Sequence, residues 1–345
     1  MEHLSFSQIL GQDWAVRFLK QVILMEKIPH GYLFVGIPGV GKTTTAVALT
    51  QAINCLEPVS GEGCGRCRAC KWLRSGNIGD LVIIHPEGQS IKIEKIRDLE
   101  RVLGYKPQYG RYRVTVVRQA ELMTEEASNA FLKTLEEPPP GNILILNASD
   151  PSKLLPTIVS RCQKVNFRPI PVGLIKEWLA ERKGVDEEKA LLLAKLSEGS
   201  LGRALRMWEE DYLGRRRRYL SEFQGLPTLS DEEVLRLALA MRGRGKKDQG
   251  PGPERGSAEI AEALSLWKTW TRDALLLNTE GPEGLLMNAD FREELKKTFG
   301  GSRIDALMEA FRLLDQAEKD LRRFRNLDLL MENLLLALKG CMGKR

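Results

Sequence analysis

The sequence predicts an α/β fold, a parallel sheet covered by helices, in the first half of the chain and an all-helical second half. Three observations predict it. Short β-rich runs alternate with amphipathic stretches as far as residue 146, one of those runs leads into a glycine-rich loop, and strand signals stop after FRPIP at 167–171.

In chain order, YLFV at 32–35, LVIIH at 81–85, YRVTVV at 112–117 and NILIL at 142–146 each read as a strand buried on both faces. Between them, 42–54, 93–103 and 124–137 carry helical periodicity. The last of these has Thr124 as N-cap, Glu125 and Glu126 in its first turn, and a stop at Pro138, Pro139 and Pro140. A short helix at 154–159 and a strand KVNF at 164–167 follow. Helical patterns then cover 172–182, 186–197 and 201–213, and continue to the end after a gap. That gap, RGRGKKDQGPGPERG at 242–256, is too rich in glycine, proline and charge to pack and reads as a mobile loop. No internal repeat is visible. The expected domains are 1–168, 169–222 and 223–345.

The chain has 345 residues, 43% of them hydrophobic, and a formal charge of +6. These values favour two or three globular domains over disorder. The basic excess is too mild to mark a nucleic-acid binder. No apolar run is long enough to cross a bilayer, and MEHLSFSQIL lacks the pattern of an export signal, so a cytoplasmic protein without membrane contact is expected.

GIPGVGKT at 36–43 fits the phosphate-loop pattern G-x-x-x-x-G-K-S/T, with a strand before it and a helix after it. In the loop Gly36, Pro38, Gly39, Val40 and Gly41, the glycines would let backbone N–H groups turn toward phosphate oxygens, and the helix N-terminus adds partial positive charge. Lys42 would reach the β- and γ-phosphates, Thr43 would hold Mg²⁺, and Thr44 completes the turn. The implied ligand is ATP or ADP with Mg²⁺.

Cys55, Cys64, Cys67 and Cys70 are spaced C-x8-C-x2-C-x2-C, with Gly61, Gly63 and Gly65 among them. Four thiolates close a tetrahedral shell with no open position, which suits structural Zn²⁺. Lys71 and Arg74 are too few to make this module a DNA grip.

Hydrolysis at a phosphate loop needs a carboxylate at the end of the neighbouring strand to hold the metal, and a second acid to orient water. In VTVVRQAELM at 114–123, Arg118 and Gln119 occupy those places. Glu121, two positions on, is expected to point past a metal. Asp80 precedes its strand and Asp150 follows another, so hydrolysis is expected to be impaired or absent. Arg161, in Ser160-Arg161-Cys162, lies at a helix end from which an arginine can reach a neighbouring subunit's γ-phosphate, although the residues alone favour a solvated surface arginine. For the run Arg215 to Arg218, a solvated helix face is preferred over a DNA contact.

The order GQDWAVRFLK, IPHGYLFVGIPGVGKTTTA, the four cysteines, NASDPSKLLPTIVSRCQ and GSLGRAL resembles bacterial clamp-loader subunits of the AAA+ class, which include the tau/gamma and delta-prime subunits of DNA polymerase III. HPEGQSIKIEKIRDLE, AELMTEEASNAFLKTLEEPP and the Arg118-Gln119 pair look more like delta-prime. The resemblance covers about residues 5–210; beyond it, FRNLDLLMENLLLAL is similar to the family's collar.

The resemblance implies a RecA-like domain with a zinc module, a helical lid and an all-α collar. It also implies Arg161 acting in trans, Ser149 as the sensor-1 residue and Arg203 as the sensor-2 arginine. Its implied partners are tau/gamma and delta, with the sliding clamp and primer–template DNA reached through the complex. A tau/gamma-type motor and a zinc-dependent DNA-binding regulator are the alternative readings.

Overall fold

The computed structural model describes residues 5–74, 79–242, 253–279, 281–282, 285–321 and 326–342. The chain divides into two compact units, Met1–Trp208 and Glu209–Arg345.

The first unit is built on a five-stranded parallel sheet: β1 (Gly31–Val35), β2 (Leu81–Ile84), β3 (Arg113–Arg118), β4 (Asn142–Ala148) and β5 (Gln163–Asn166), in the order β2-β3-β4-β1-β5. The helices before and between the strands are α1 (Asp13–Leu24), α2 (Lys42–Ile53), α3 (Arg68–Arg74), α4 (Ile93–Leu103), α5 (Glu125–Glu136) and α6 (Pro156–Val159). The central strands β1, β3 and β4 alternate their side chains between two buried faces, whereas the edge strand β5 buries only Val165. On one face, Leu33, Val117, Leu144 and Leu146 form a core with Ile96 and Leu99 of α4 and with Phe131 and Leu135 of α5. The alternate residues Tyr32, Phe34, Val116 and Ile145 are also buried, on the face against which α2 packs. Enclosure on both sides explains why the central strands are largely apolar, and the edge position of β5 why QKVN is not. Helix α5 starts as expected, with the Ala127 N–H donating to Thr124 Oγ1 at 3.2 Å.

Three further helices complete this unit: α7 (Val172–Lys183), α8 (Glu187–Leu196) and most of α9 (Leu201–Glu209). Gly184 ends α7 in the left-handed region at φ +64°. The α/β class, the parallel sheet and the helical remainder are as predicted from the sequence.

The second unit is all helical among the described residues: α10 (Tyr212–Gly225), α11 (Asp231–Arg242), α12 (Pro253–Asn278), α13 (Arg292–Phe299), α14 (Ile304–Asp320) and α15 (Leu327–Met342). Phe223, Trp267, Leu295, Leu314 and Leu335 share one core. The Trp267 indole, fully buried, donates to the Tyr219 carbonyl at 2.8 Å. Residues 243–252 of the expected loop lie outside the described residues, and Pro253 already begins α12.

The arginine run is a correction. Arg217 and Arg218 are exposed, but Arg216 is 1% exposed: its guanidinium forms an ion pair with Asp290 and donates to Asn288 Oδ1 at 2.6 Å. Arg215 pairs with Glu262 at 2.9 Å. An ion this deeply buried persists because its charge is matched and both terminal nitrogens are bonded, although Nε has no partner among the described residues.

Candidate functional site

The sheet order places the carboxyl ends of β1, β3 and β4 side by side, the usual location of ligand sites in α/β sheets. A cavity of about 530 Å³ opens there. Its wall combines apolar side chains, among them Ile9, Leu10, Ile170 and Leu205, with the loop Pro38 to Thr44 and the polar Arg118, Gln119, Glu121, Asn147 and Ser149.

The loop after β1 has the shape its glycines permit. Gly39 and Gly41 take φ of +77° and +107°, and Gly41 caps α2. Gly39 also lies against the start of α9: its carbonyl accepts from Gly202 N–H at 2.9 Å, and Ser200 Oγ donates to the Pro38 carbonyl at 2.8 Å. A Cβ on Gly202 would stand 3.0 Å from Gly39 Cα, so this approach requires glycine on both sides. Lys42 is buried, and its Nζ donates to the carbonyls of Gly36 and, at 2.9 Å, Ile37. Burial pushes its ammonium down to about 8, with Glu121 opposing and Arg118 adding to the fall. Asn147 Nδ2 donates to Thr43 Oγ1 at 3.1 Å.

At the end of β3, Arg118 lies 3.3 Å (Nη1 to Nδ1) from His85, which follows β2. Partial burial and then the Arg118 and Lys95 charges lower the His85 pKa, favouring the neutral ring whose Nδ1 accepts. Among the described residues no carboxylate follows β3 directly, where Arg118 and Gln119 stand. Asp80 is fixed elsewhere, accepting from the N–H groups of Gln108, Tyr109 and Gly110 at 2.6, 2.6 and 2.7 Å, and Asp150 caps a turn through Ser152.

The expectation for Glu121 is corrected. Gln119 adopts φ +51°, and the 3-10 turn after it returns Glu121 to the cavity wall. There its Oε1 accepts from Ser149 N–H at 3.0 Å and from Ser149 Oγ.

Arg203 does not line the cavity. It pairs with Glu198 at 2.7 Å, and Arg206, three residues later on α9, takes the cavity position. The sequence reading turned Glu121 away from the site and singled out neither Arg206 nor Asn147. The resemblance pointed to Arg203 alone; the close packing of Gly39 on Gly202 turns Leu205 and Arg206 of α9 to the cavity instead. Arg161 is also outside the cavity. It lies two residues past α6, half-exposed, paired with Glu136 at 2.7 Å, and it donates to the Thr157 carbonyl at 3.1 Å.

The four cysteines converge after α2 and around α3, with all four Sγ atoms within 4.8 Å of one another. The Cys55–Cys67 Sγ separation is 3.8 Å. That is far too long for a disulfide and equals the edge, about 3.8 Å, of a tetrahedron with ~2.3 Å Zn–S bonds. Backbone N–H groups of Cys64, Cys67 and Cys70 point at the sulfurs of Cys55, Cys64 and Cys67, at 3.2, 3.3 and 3.5 Å. Against partial desolvation, N–H donors of Arg66 and Cys67 bring the Cys64 thiol down to about 6, while burial pushes Cys70 up to about 12. The cluster could hold a metal ion, and the soft S₄ donor set is that of zinc.

Residues 11–171 match the family described as "DNA polymerase III, delta subunit". The DNA polymerase III subunit tau of Bacillus subtilis is 28% identical over 335 residues, 92% of this chain and 58% of the relative. The delta' subunit of the same organism is 35% identical over 186 residues, 54% of this chain and 56% of the relative. The chain thus spans little more than half the length of each. A gamma subunit-related protein of Thermotoga maritima overlays loosely, with a TM-score of 0.46 and 21% identity over 94% of this chain and 99% of that one. No helix among the described residues is long and apolar enough to cross a membrane.

Proposed function

We propose that this chain, whose residues 11–171 match the model described as "DNA polymerase III, delta subunit", is a delta-prime-type subunit of a clamp loader. It keeps a fixed place in a cytoplasmic ring with tau/gamma and delta subunits. It holds ATP or ADP with Mg²⁺ in the cavity without turnover and presents Arg161 to the neighbour's γ-phosphate. The ring opens the sliding clamp and seats it on primer–template DNA. Residues 1–168 serve as the nucleotide domain, with lid and collar following; the expected lid–collar boundary at 222 cuts α10, which belongs to the second unit, so the collar starts near 209. Within this scheme Lys42 and Thr43 bind the phosphates and metal, Ser149 acts as one sensor, Arg206 rather than Arg203 faces the nucleotide from α9, and Cys55, Cys64, Cys67 and Cys70 bind one structural Zn²⁺.

The observation that carries this reading is the end of β3, where Arg118 turned toward His85 replaces the acid that hydrolysis requires. Reconstitution tests it. A tau-type motor with a delta subunit is expected to load clamps on primed DNA only when this chain is added. Replacement of the motor by this chain, with loading preserved, would make it the tau/gamma type instead.

The zinc assignment has its own check. Elemental analysis of purified protein is expected to give about one zinc per chain, and chelation to lower the thermal midpoint. Because the sheet has its own core, the expected outcome is local loss around α3 rather than global unfolding. Protein free of zinc with an unchanged midpoint after chelator treatment would remove it.

A further inference from the structure

Two buried acceptors on the cavity wall have no hydrogen-bond partner among the described residues. Asn147 is 3% exposed, and while its Nδ2 is spent on Thr43, its Oδ1 has nothing to accept from. Glu121 gives Oε1 to Ser149, but its Oε2 is sealed from solvent and bare. Buried acceptors are ordinarily satisfied, because one left bare forfeits its hydration. Both residues line the same cavity as Thr43. The nearby ammonium of Lys42 is committed to the Gly36 and Ile37 carbonyls.

An amide oxygen, a carboxylate oxygen and a hydroxyl are the hard ligands that Mg²⁺ accepts alongside phosphate oxygens and water. We infer that Glu121 and Asn147, together with Thr43, form the seat of the divalent cation that accompanies a bound nucleotide, in place of the strand-end carboxylate that Arg118 displaces. The inference rests on the nucleotide-holding part of the function proposed above. It also accounts for binding without cleavage. Among the described residues Glu121 is the one acid on the cavity wall, its Oε1 is tied to Ser149, and no other carboxylate there is left to orient a water.

Titration calorimetry of ADP into the full chain, in Mg²⁺ and in excess EDTA, tests the assignment. Native protein is expected to bind ADP more tightly in Mg²⁺. Glu121→Gln, which keeps an oxygen for Ser149, is expected to lose about tenfold in Mg²⁺, the size of one charged contact. In EDTA it should bind as tightly as the native chain or more so, since a negative charge has left the phosphates' surroundings. Structural damage would weaken both conditions. An equal Mg²⁺ gain in native and variant protein overturns the assignment while nucleotide binding stands. No ADP binding by native protein in either buffer overturns both. Should Glu121→Gln not fold, Asn147→Ala is read in the same way: loss confined to Mg²⁺ supports the seat, and an unaltered Mg²⁺ gain overturns it.

Discussion

Arg161→Ala is expected to depress the DNA-stimulated ATPase of a reconstituted complex by about tenfold or more while leaving its assembly intact, since a trans-acting arginine is worth ~10³-fold or more where it is the sole such group. The reasoning is geometric. Arg161 lies past the end of a short helix, half-exposed and outside its own chain's cavity, so it has no part in its own nucleotide site. Its contacts with Glu136 and the Thr157 carbonyl hold the side chain in place, yet use only part of a five-donor guanidinium. Phosphate release measured beside the mass of the assembled complex separates chemistry from assembly. An unchanged rate in a fully assembled complex would show that Arg161 is a surface residue.

The second large effect concerns stability. Arg216→Ala is expected to cost about 3 kcal/mol, because it leaves Asp290 unpaired and Asn288 without its donor in a packed interior. Asp290 keeps some solvent contact, its side chain being 26% exposed, which holds the cost to the lower part of the usual range. The neighbouring Arg217→Ala should stay within about 0.5 kcal/mol. Urea unfolding of the two variants reads the contrast directly, and equal midpoints would remove the structural role given to Arg216.

These residues show what a sequence reveals and what it withholds. The strands, the phosphate loop and the cysteine cluster were legible because each is a local pattern whose physics is complete within a few residues. Arg216 was not. Its partners lie 72 and 74 positions away, and nothing in a run of four arginines marks the one that faces inward. Glu121 failed differently. Counting from the strand end assumes extended backbone, but the left-handed Gln119 folds the chain back, and glutamine carries none of the signal that glycine or asparagine would. On α9 the resemblance pointed to Arg203 alone, and the contact of Gly39 with Gly202 turns Arg206 to the cavity instead.

The most direct test is steady-state phosphate release by the purified chain alone, run beside Lys42→Ala as the control for contaminating activity. No turnover above that control, together with saturable ADP binding that Lys42→Ala abolishes, is the predicted result. Sustained release that disappears with Lys42→Ala would contradict it, and would make the chain a motor in its own right.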